Sequence, residues 1–169
     1  GMIFDRTSHP LAFVIGGCKV TTKAKFLQKI ATEADFVIVG GVLANIFLKA
    51  QGLSVGRSVA DAESVKFVKS LRFKPEQLIL PEDFVASVAV SGKTKTRITP
   101  ATEVKTKEYL LDIGPRSLKR FSTIVKKSKT IVWNGPLGYY EIKKFAQGTL
   151  KMAEILAQTK ALKIIGGGD

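Results

Sequence analysis

Four short, uniformly apolar runs recur along the chain, each closing on glycine: "LAFVIGG" at 11–17, "DFVIVGG" at 35–41, "KTIVWNG" at 129–135 and "LKIIGGG" at 162–168. "QLILPEDF" at 77–84 is a fifth run of the same kind, with Pro81 where the others have glycine. Strands that are apolar throughout are covered on both faces, and strands alternating with helices pair in parallel through right-handed crossovers.

The intervening stretches carry helical periodicity. Phe26, Leu27, Ile30, Ala31 and Ala34 form one stripe after the first run. Leu43, Ile46, Phe47 and Ala50 form another after the second, with Gly52 placed as a C′ glycine. Ser58 is a candidate N-cap for "SVADAESVKFVKSL", and "PRSLKRFSTIVKKS" and "KKFAQGTLKMAEILAQ" supply two more helices. One segment breaks the alternation: "DFVASVAVSGKTKTRITPATEV" is rich in β-branched and small residues, turns at Ser91-Gly92 and has no helical stripe, so it predicts a β-hairpin. Its "SGKT" is similar to the end of a Walker A loop, but position 87 holds Ser87 where that motif needs glycine, and a hairpin turn is the simpler reading. The expected fold is therefore α/β: a three-layer, doubly wound, Rossmann-like parallel sheet of order 3-2-1-4-5, counting the runs along the chain, plus a small β-hairpin.

Composition narrows the class. With 169 residues, 45% of them hydrophobic, the chain can bury the core of one domain, which excludes disordered and fibrous proteins. Lys and Arg outnumber Asp and Glu 27 to 14, and the resulting charge of +13 favours anionic partners. The basic residues are scattered and accompany no nucleic-acid-binding signature, so specific nucleic-acid binding is not expected. The single cysteine, Cys18, excludes an intrachain disulfide and, with no signal-peptide pattern, favours a cytoplasmic setting. No apolar run reaches the roughly 20 residues of a membrane-spanning helix. Residues 1–10 read as a leader in which Gly1-Met2 resembles a tag-cleavage scar and His9 is an incidental surface residue.

Ligands of open parallel sheets bind beyond the carboxyl ends of the strands. Those ends carry Gly16-Gly17, Gly40-Gly41, Gly135-Pro136-Leu137-Gly138 and Gly166-Gly167-Gly168-Asp169. Glycine admits a ligand close to the main chain, and a helix starting just beyond offers N–H groups to an anion; the same glycines also serve as tight strand-to-helix turns. "VIGGCKVTTKAKF" places Lys19 and Lys23 on the first turns of a helix, where the peptide dipoles make each cation cost roughly 0.3–1 kcal/mol. A bound polyphosphate would relieve that cost, and a solvated basic helix face is the alternative. Glu141 could accept hydrogen bonds from a ribose and Asp169 could hold Mg²⁺ on a phosphate, although each also reads as a solvent-facing acid near a helix start. Cys18 reads as a small buried residue rather than a nucleophile, and the sequence has no metal-ligand cluster.

"GGCKVTTK", "IVGGVLANIFLKAQG", "LDIGP", "VWNGPLGYYEIKKFAQGT" and "IIGGGD", in that order, resemble the nucleotide-binding half of the phosphoglycerate kinase family over nearly the whole chain. The resemblance implies a two-domain parent, monomeric, in which one domain holds 3-phosphoglycerate or its acyl phosphate and the other holds MgADP or MgATP. Residues 11–169 would be the nucleotide-binding domain, with the substrate domain absent and the sixth strand missing at the carboxyl end, so this stretch alone should turn over nothing. By resemblance, Lys19 holds the nucleotide phosphates and Lys23 follows the transferring phosphoryl group. Gly17, Gly40, Gly41 and Leu111 form the adenine slot, Asn134, Pro136 and Gly138 the loop beside the nucleotide, and Glu141 the ribose contact. Gly167 and Gly168 belong to the catalytic phosphate end, with Asp169 as the Mg²⁺ ligand. Members of the family commonly carry glycine where this chain has Leu110, Ala in place of Cys18 and Ser-Asp in place of Thr21-Thr22. A nucleotide-binding or scaffold module without catalysis, or a basic nucleic-acid binder, are the competing readings.

Overall fold

The computed structural model describes residues 8–17, 20 and 23–166. Five parallel strands form the main sheet: β1 (Leu11–Ile15), β2 (Phe36–Val39), β3 (Leu78–Ile79), β7 (Thr130–Asn134) and β8 (Leu162–Gly166), in the order β3-β2-β1-β7-β8. Numbered by apolar run, this is the expected order 3-2-1-4-5. A second, antiparallel sheet comprises β4 (Asp83–Ser87), β5 (Arg97–Pro100) and β6 (Tyr109–Ile113), ordered β5-β4-β6.

The central strand β1 is buried at every position because both sheet faces are covered. Its odd residues Leu11, Phe13 and Ile15 share a cluster with Leu27 and Ile30 of α1 (Ala24–Glu33), Leu43 and Phe47 of α2 (Gly41–Ala50), and Val68 of α3 (Ala62–Ser70). Val14, with Ile38, Ile131 and Trp133, faces the opposite layer, where Phe121 and Ile124 of α4 (Pro115–Lys126) meet Met152 and Leu156 of α5 (Gln147–Gln158). Residues one apart in a strand point to opposite faces, so the same apolar run feeds both layers. Among the described residues no helix is long and apolar enough to cross a membrane.

Four expectations need correction. The predicted hairpin is present as β4 and β5, with Gly92 in its turn, but "YLLDI" adds β6 on the other side of β4 and makes a three-stranded sheet. Only Leu78–Ile79 of the fifth run pairs in the main sheet. Pro81 has no N–H for a ladder, and the chain leaves there to begin β4 at Asp83. Ser58 does not cap α3: Asp61 does, accepting from Ser64 N at 3.0 Å, while the Ser58 hydroxyl accepts from Leu110 N at 2.8 Å and ties β6 to the loop after α2. His9, exposed as expected, is engaged rather than incidental, its Nδ1 lying 2.6 Å from Asp35 Oδ2. Gly52 does close α2 as a C′ residue, with φ +88° and bonds from Gly52 N to Lys49 O and from Leu53 N to Leu48 O.

The junction of the two sheets is held by one buried polar knot. Asp83 caps α4 from outside that helix, accepting from Arg116 N at 3.1 Å and Ser117 N at 2.8 Å. The Ser117 hydroxyl accepts in turn from Glu82 N and Asp83 N at 2.9 and 3.0 Å. Ser117→Ala leaves those N–H groups without their acceptor in a buried place. It should cost about 1–3 kcal/mol, seen as a lower urea midpoint with an unchanged slope.

Candidate functional site

Three strand-end loops meet at the carboxyl edge of the main sheet. Gly16 N donates to Asn134 O at 2.8 Å, Gly17 N to Pro136 O at 3.2 Å, Gly40 N to Ile15 O at 2.9 Å, Gly41 N to Leu137 O at 3.1 Å, and Leu43 N to Gly17 O at 3.1 Å. The approach is so close that a Cβ on Gly16 would lie 1.9 Å from Pro136 O. Gly41 has φ +61°, in the left-handed region where a side chain is strained.

Beside this edge a cleft of about 260 Å³ opens between α2 and β6. Of the residues singled out in the sequence, Gly17, Gly41, Leu111, Pro136, Gly138 and Glu141 all line it. Gly40 does not: it packs on Leu137, which a Cβ there would meet at 2.6 Å. Asn134 lies outside the cleft as well, at the end of β7, where its Oδ1 accepts from Lys23 Nζ at 3.2 Å. Lys19, Cys18, Thr21, Thr22, Gly167, Gly168 and Asp169 lie outside the described residues.

Lys23 stands at the N-cap position of α1, just before Ala24, rather than within its first turns. No acidic residue occupies the first turn, and the Lys23 side chain makes no cap hydrogen bond to the helix. The half-buried Lys23 nonetheless turns its ammonium toward the glycine edge, where a Cβ on Gly17 would lie 3.5 Å from Nζ. A positive helix end and a lysine cation therefore converge on the rim next to the cleft, an arrangement suited to an anion.

The sequence reading missed two polar residues in the cleft wall, and in each an interruption of an apolar run was the available signal. Asn45 interrupts "VLANIFL", is 3% exposed, and has an Oδ1 with no hydrogen-bond partner. Leaving such an acceptor unpaired costs about 1–3 kcal/mol. Asp112 interrupts "YLLDI"; its Oδ2 accepts from Gly148 N at the start of α5 at 2.9 Å, and its Oδ1 accepts from Ile113 N at 2.8 Å. Gly138 and Gly148 both pack on this carboxylate, each with a would-be Cβ 2.5 Å from Oδ1. Leu110 also lines the cleft, next to Leu111.

The sequence matches the phosphoglycerate kinase family model over residues 1–169. The chain belongs to the phosphoglycerate kinase family. It is 38% identical to phosphoglycerate kinase of Pelotomaculum thermopropionicum, with 100% of this chain and 44% of that protein aligned. With the Syntrophobacter fumaroxidans phosphoglycerate kinase it shares 38% identity over 98% of this chain and 43% of the relative. The structure of phosphoglycerate kinase from Coxiella burnetii superposes with a TM-score of 0.90 at 37% identity, covering 98% of this chain and 44% of that one. The chain thus spans less than half the length of the phosphoglycerate kinases it matches, and its parallel sheet is the fold of that family.

Burial pushes the Asp112 carboxyl up to about 6, against the pull of the Gly148 and Ile113 N–H groups and the Lys151 charge. A folded-state value above the ordinary 3.8 means that the folded chain holds this proton more tightly than the unfolded chain does. The resulting stabilisation is full in acid and is lost as pH rises through about 6. Relative to the native chain, Asp112→Asn should therefore gain stability between about pH 4 and pH 7, as read from urea unfolding at the two values.

Proposed function

We propose that residues 11–169 are the nucleotide-binding unit of a phosphoglycerate kinase. The whole enzyme would move a phosphoryl group reversibly between 1,3-bisphosphoglycerate and MgADP, giving 3-phosphoglycerate and MgATP, in a cytoplasmic setting. The observation that carries the reading is the Lys23 ammonium, held at a helix start and turned to the glycine edge, 3.2 Å from Asn134 Oδ1. The apolar cleft adjoins it through Gly17, which lines the cleft and also packs beside Lys23.

In this reading the base occupies the cleft between Gly17 and Gly41 on one side and Leu111 on the other. Pro136 and Gly138 close its end, and the exposed carboxylate of Glu141 meets the ribose. The phosphates run along the rim to Lys23, with Lys19, Gly167 and Gly168 as further anion contacts. Gly40 and Asn134 act at one remove, by seating Leu137 and Lys23. The magnesium ion arrives with the nucleotide as part of the substrate, and Asp169 is its proposed protein ligand. Among the described residues no group of three or more His, Cys, Asp or Glu side chains is arranged to hold a metal. The acyl phosphate would be presented by the part of the relatives' length that this chain does not span.

The chemistry suits these residues. The accepting phosphate oxygen of ADP is already an anion, so no general base has to remove a proton. What the transfer requires is alignment of donor and acceptor and neutralisation of charge on the migrating oxygens. A lysine beside a helix N-terminus would supply the neutralisation, and the bonded glycine rim the alignment.

Calorimetry of the chain with MgADP should show saturable binding at one site, and a flat titration would overturn the assignment. In the whole enzyme, Lys23→Ala should lower kcat by about a hundredfold or more while changing the MgADP Kd less than about tenfold. Equal losses in both would make the ammonium a ground-state contact only.

A further inference from the structure

Two short segments repeat one pattern of lysine and threonine: "KTKTR" at 93–97, which contains the end of the "SGKT" stretch, and "KTKEY" at 105–109. The fold brings them to opposite sides of one end of the small sheet. β5 begins at Arg97 and β6 at Tyr109, and both pair with the carboxyl end of β4. An open basin of about 500 Å³ lies there, with Ser87 of β4 between Lys95 and Arg97 on one side and Lys105 and Lys107 on the other. That volume is in the range of small-molecule sites. The basin shares no lining residue with the cleft at the glycine edge.

Glu108 is the one acid among the lining residues, and it is already spent. It is buried, its Oε2 accepts from Arg97 Nε at 2.6 Å, and its Oε1 accepts from Arg97 Nη2 at 2.8 Å and from Lys105 N at 2.9 Å. This forked pair uses up the charge of Arg97 as well. Lys95, Lys105 and Lys107 remain, all exposed, and among the described residues none of the three joins a salt bridge. Their mutual repulsion is therefore offset by nothing on the protein. The main chain beneath them is nonetheless fixed. Ser87 Oγ donates to Lys95 O at 3.1 Å, and Lys144 Nζ donates to Thr94 O at 2.9 Å. On the other side Gly56 packs so closely that a Cβ there would lie 2.1 Å from Glu108 O. Cations on braced main chain, facing one cavity, are prearranged for an anion.

We propose that this basin binds a small free polyphosphate, with one phosphate met by Lys95 and another by Lys105 and Lys107. Threonine hydroxyls at 94, 96 and 106 line the same space and can donate to phosphate oxygens. Lysines are compact point charges, suited to a ligand of high charge density. No aromatic side chain lines the basin, so a nucleobase would find no surface on which to stack. The site stands apart from the nucleotide reading above and does not depend on it.

The test follows amide NMR spectra of the 169-residue chain at fixed ionic strength as sodium tripolyphosphate or sodium orthophosphate is added. Tripolyphosphate should give saturable shifts at residues 94–97 and 106–108, and should bind about tenfold or more tightly than orthophosphate, which engages one wall only. The double variant Lys95→Gln/Lys107→Gln changes exposed side chains alone and should weaken tripolyphosphate by about tenfold or more. Lys95→Arg/Lys107→Arg should stay within about threefold of the native chain. Shifts confined to Gly17 and Lys23, shifts that do not saturate, or an unchanged affinity in the glutamine variant each overturn the proposal. Equal affinity for the two ions overturns the two-walled geometry. An oligothymidylate that binds these residues more tightly than tripolyphosphate would make the basin a nucleic-acid surface and overturn the small ligand.

Discussion

Everything at the carboxyl edge of the sheet depends on how closely three loops approach one another. Main-chain N–H groups of Gly16, Gly17, Gly40 and Gly41 donate to carbonyls of Asn134, Pro136, Ile15 and Leu137, so the turns after β1, β2 and β7 are bonded into one unit. That network requires the near absence of side chains: the Pro136 carbonyl occupies the space that a methyl group on Gly16 would need. Glycine in a loop usually gives up entropy on ordering; here the hydrogen bonds between loops offset that loss and leave a rim with its geometry fixed before any ligand arrives.

A fixed rim lets charge be placed where it is locally unfavourable. Lys23 precedes a helix that has no acidic residue in its first turn, and its ammonium, instead of capping that helix, is turned inward toward Asn134. The neighbouring wall holds Asp112, a carboxyl buried enough to titrate at about 6, with Gly138 and Gly148 packed on it. In both cases the local cost is carried by the surrounding scaffold rather than by the residue's own helix or strand. Such departures from local preference concentrate where a protein meets its ligand.

The layers of the fold were legible because β1, β2 and β7 are apolar at successive positions and helices cover both their faces; β8, at the sheet edge, comes from a run of the same kind but leaves Leu162 and Ile165 exposed, against the expectation that such a run is covered on both faces. Glycines marked this edge because the junctions after β1, β2 and β7 share the same steric demand. The third strand of the small sheet was not legible. "YLLDI" is short, and it becomes a strand only because β4 lies beside it, with a register shift between Val85 and Ala86. Ser58 misled for a related reason: its spacing suited a cap, but its hydroxyl is taken by Leu110 N, a residue 52 positions away. Asn45 and Asp112 were visible as polar breaks in apolar runs, yet nothing local says whether such a break faces water, a partner or a cleft.

The sequence by itself determined the main sheet, its two covering layers and the edge at which the glycine loops gather, since periodicity and glycine placement act over a few residues and need no distant partner. The family, too, was legible in the order of the motifs. Tertiary structure alone decided which side chains share a space. It set Gly40 behind Leu137, put Asn134 against Lys23, and left the Asn45 oxygen without a partner in the cleft wall. Those outcomes depend on contacts between residues up to 111 positions apart, and local pattern carries no information at that range.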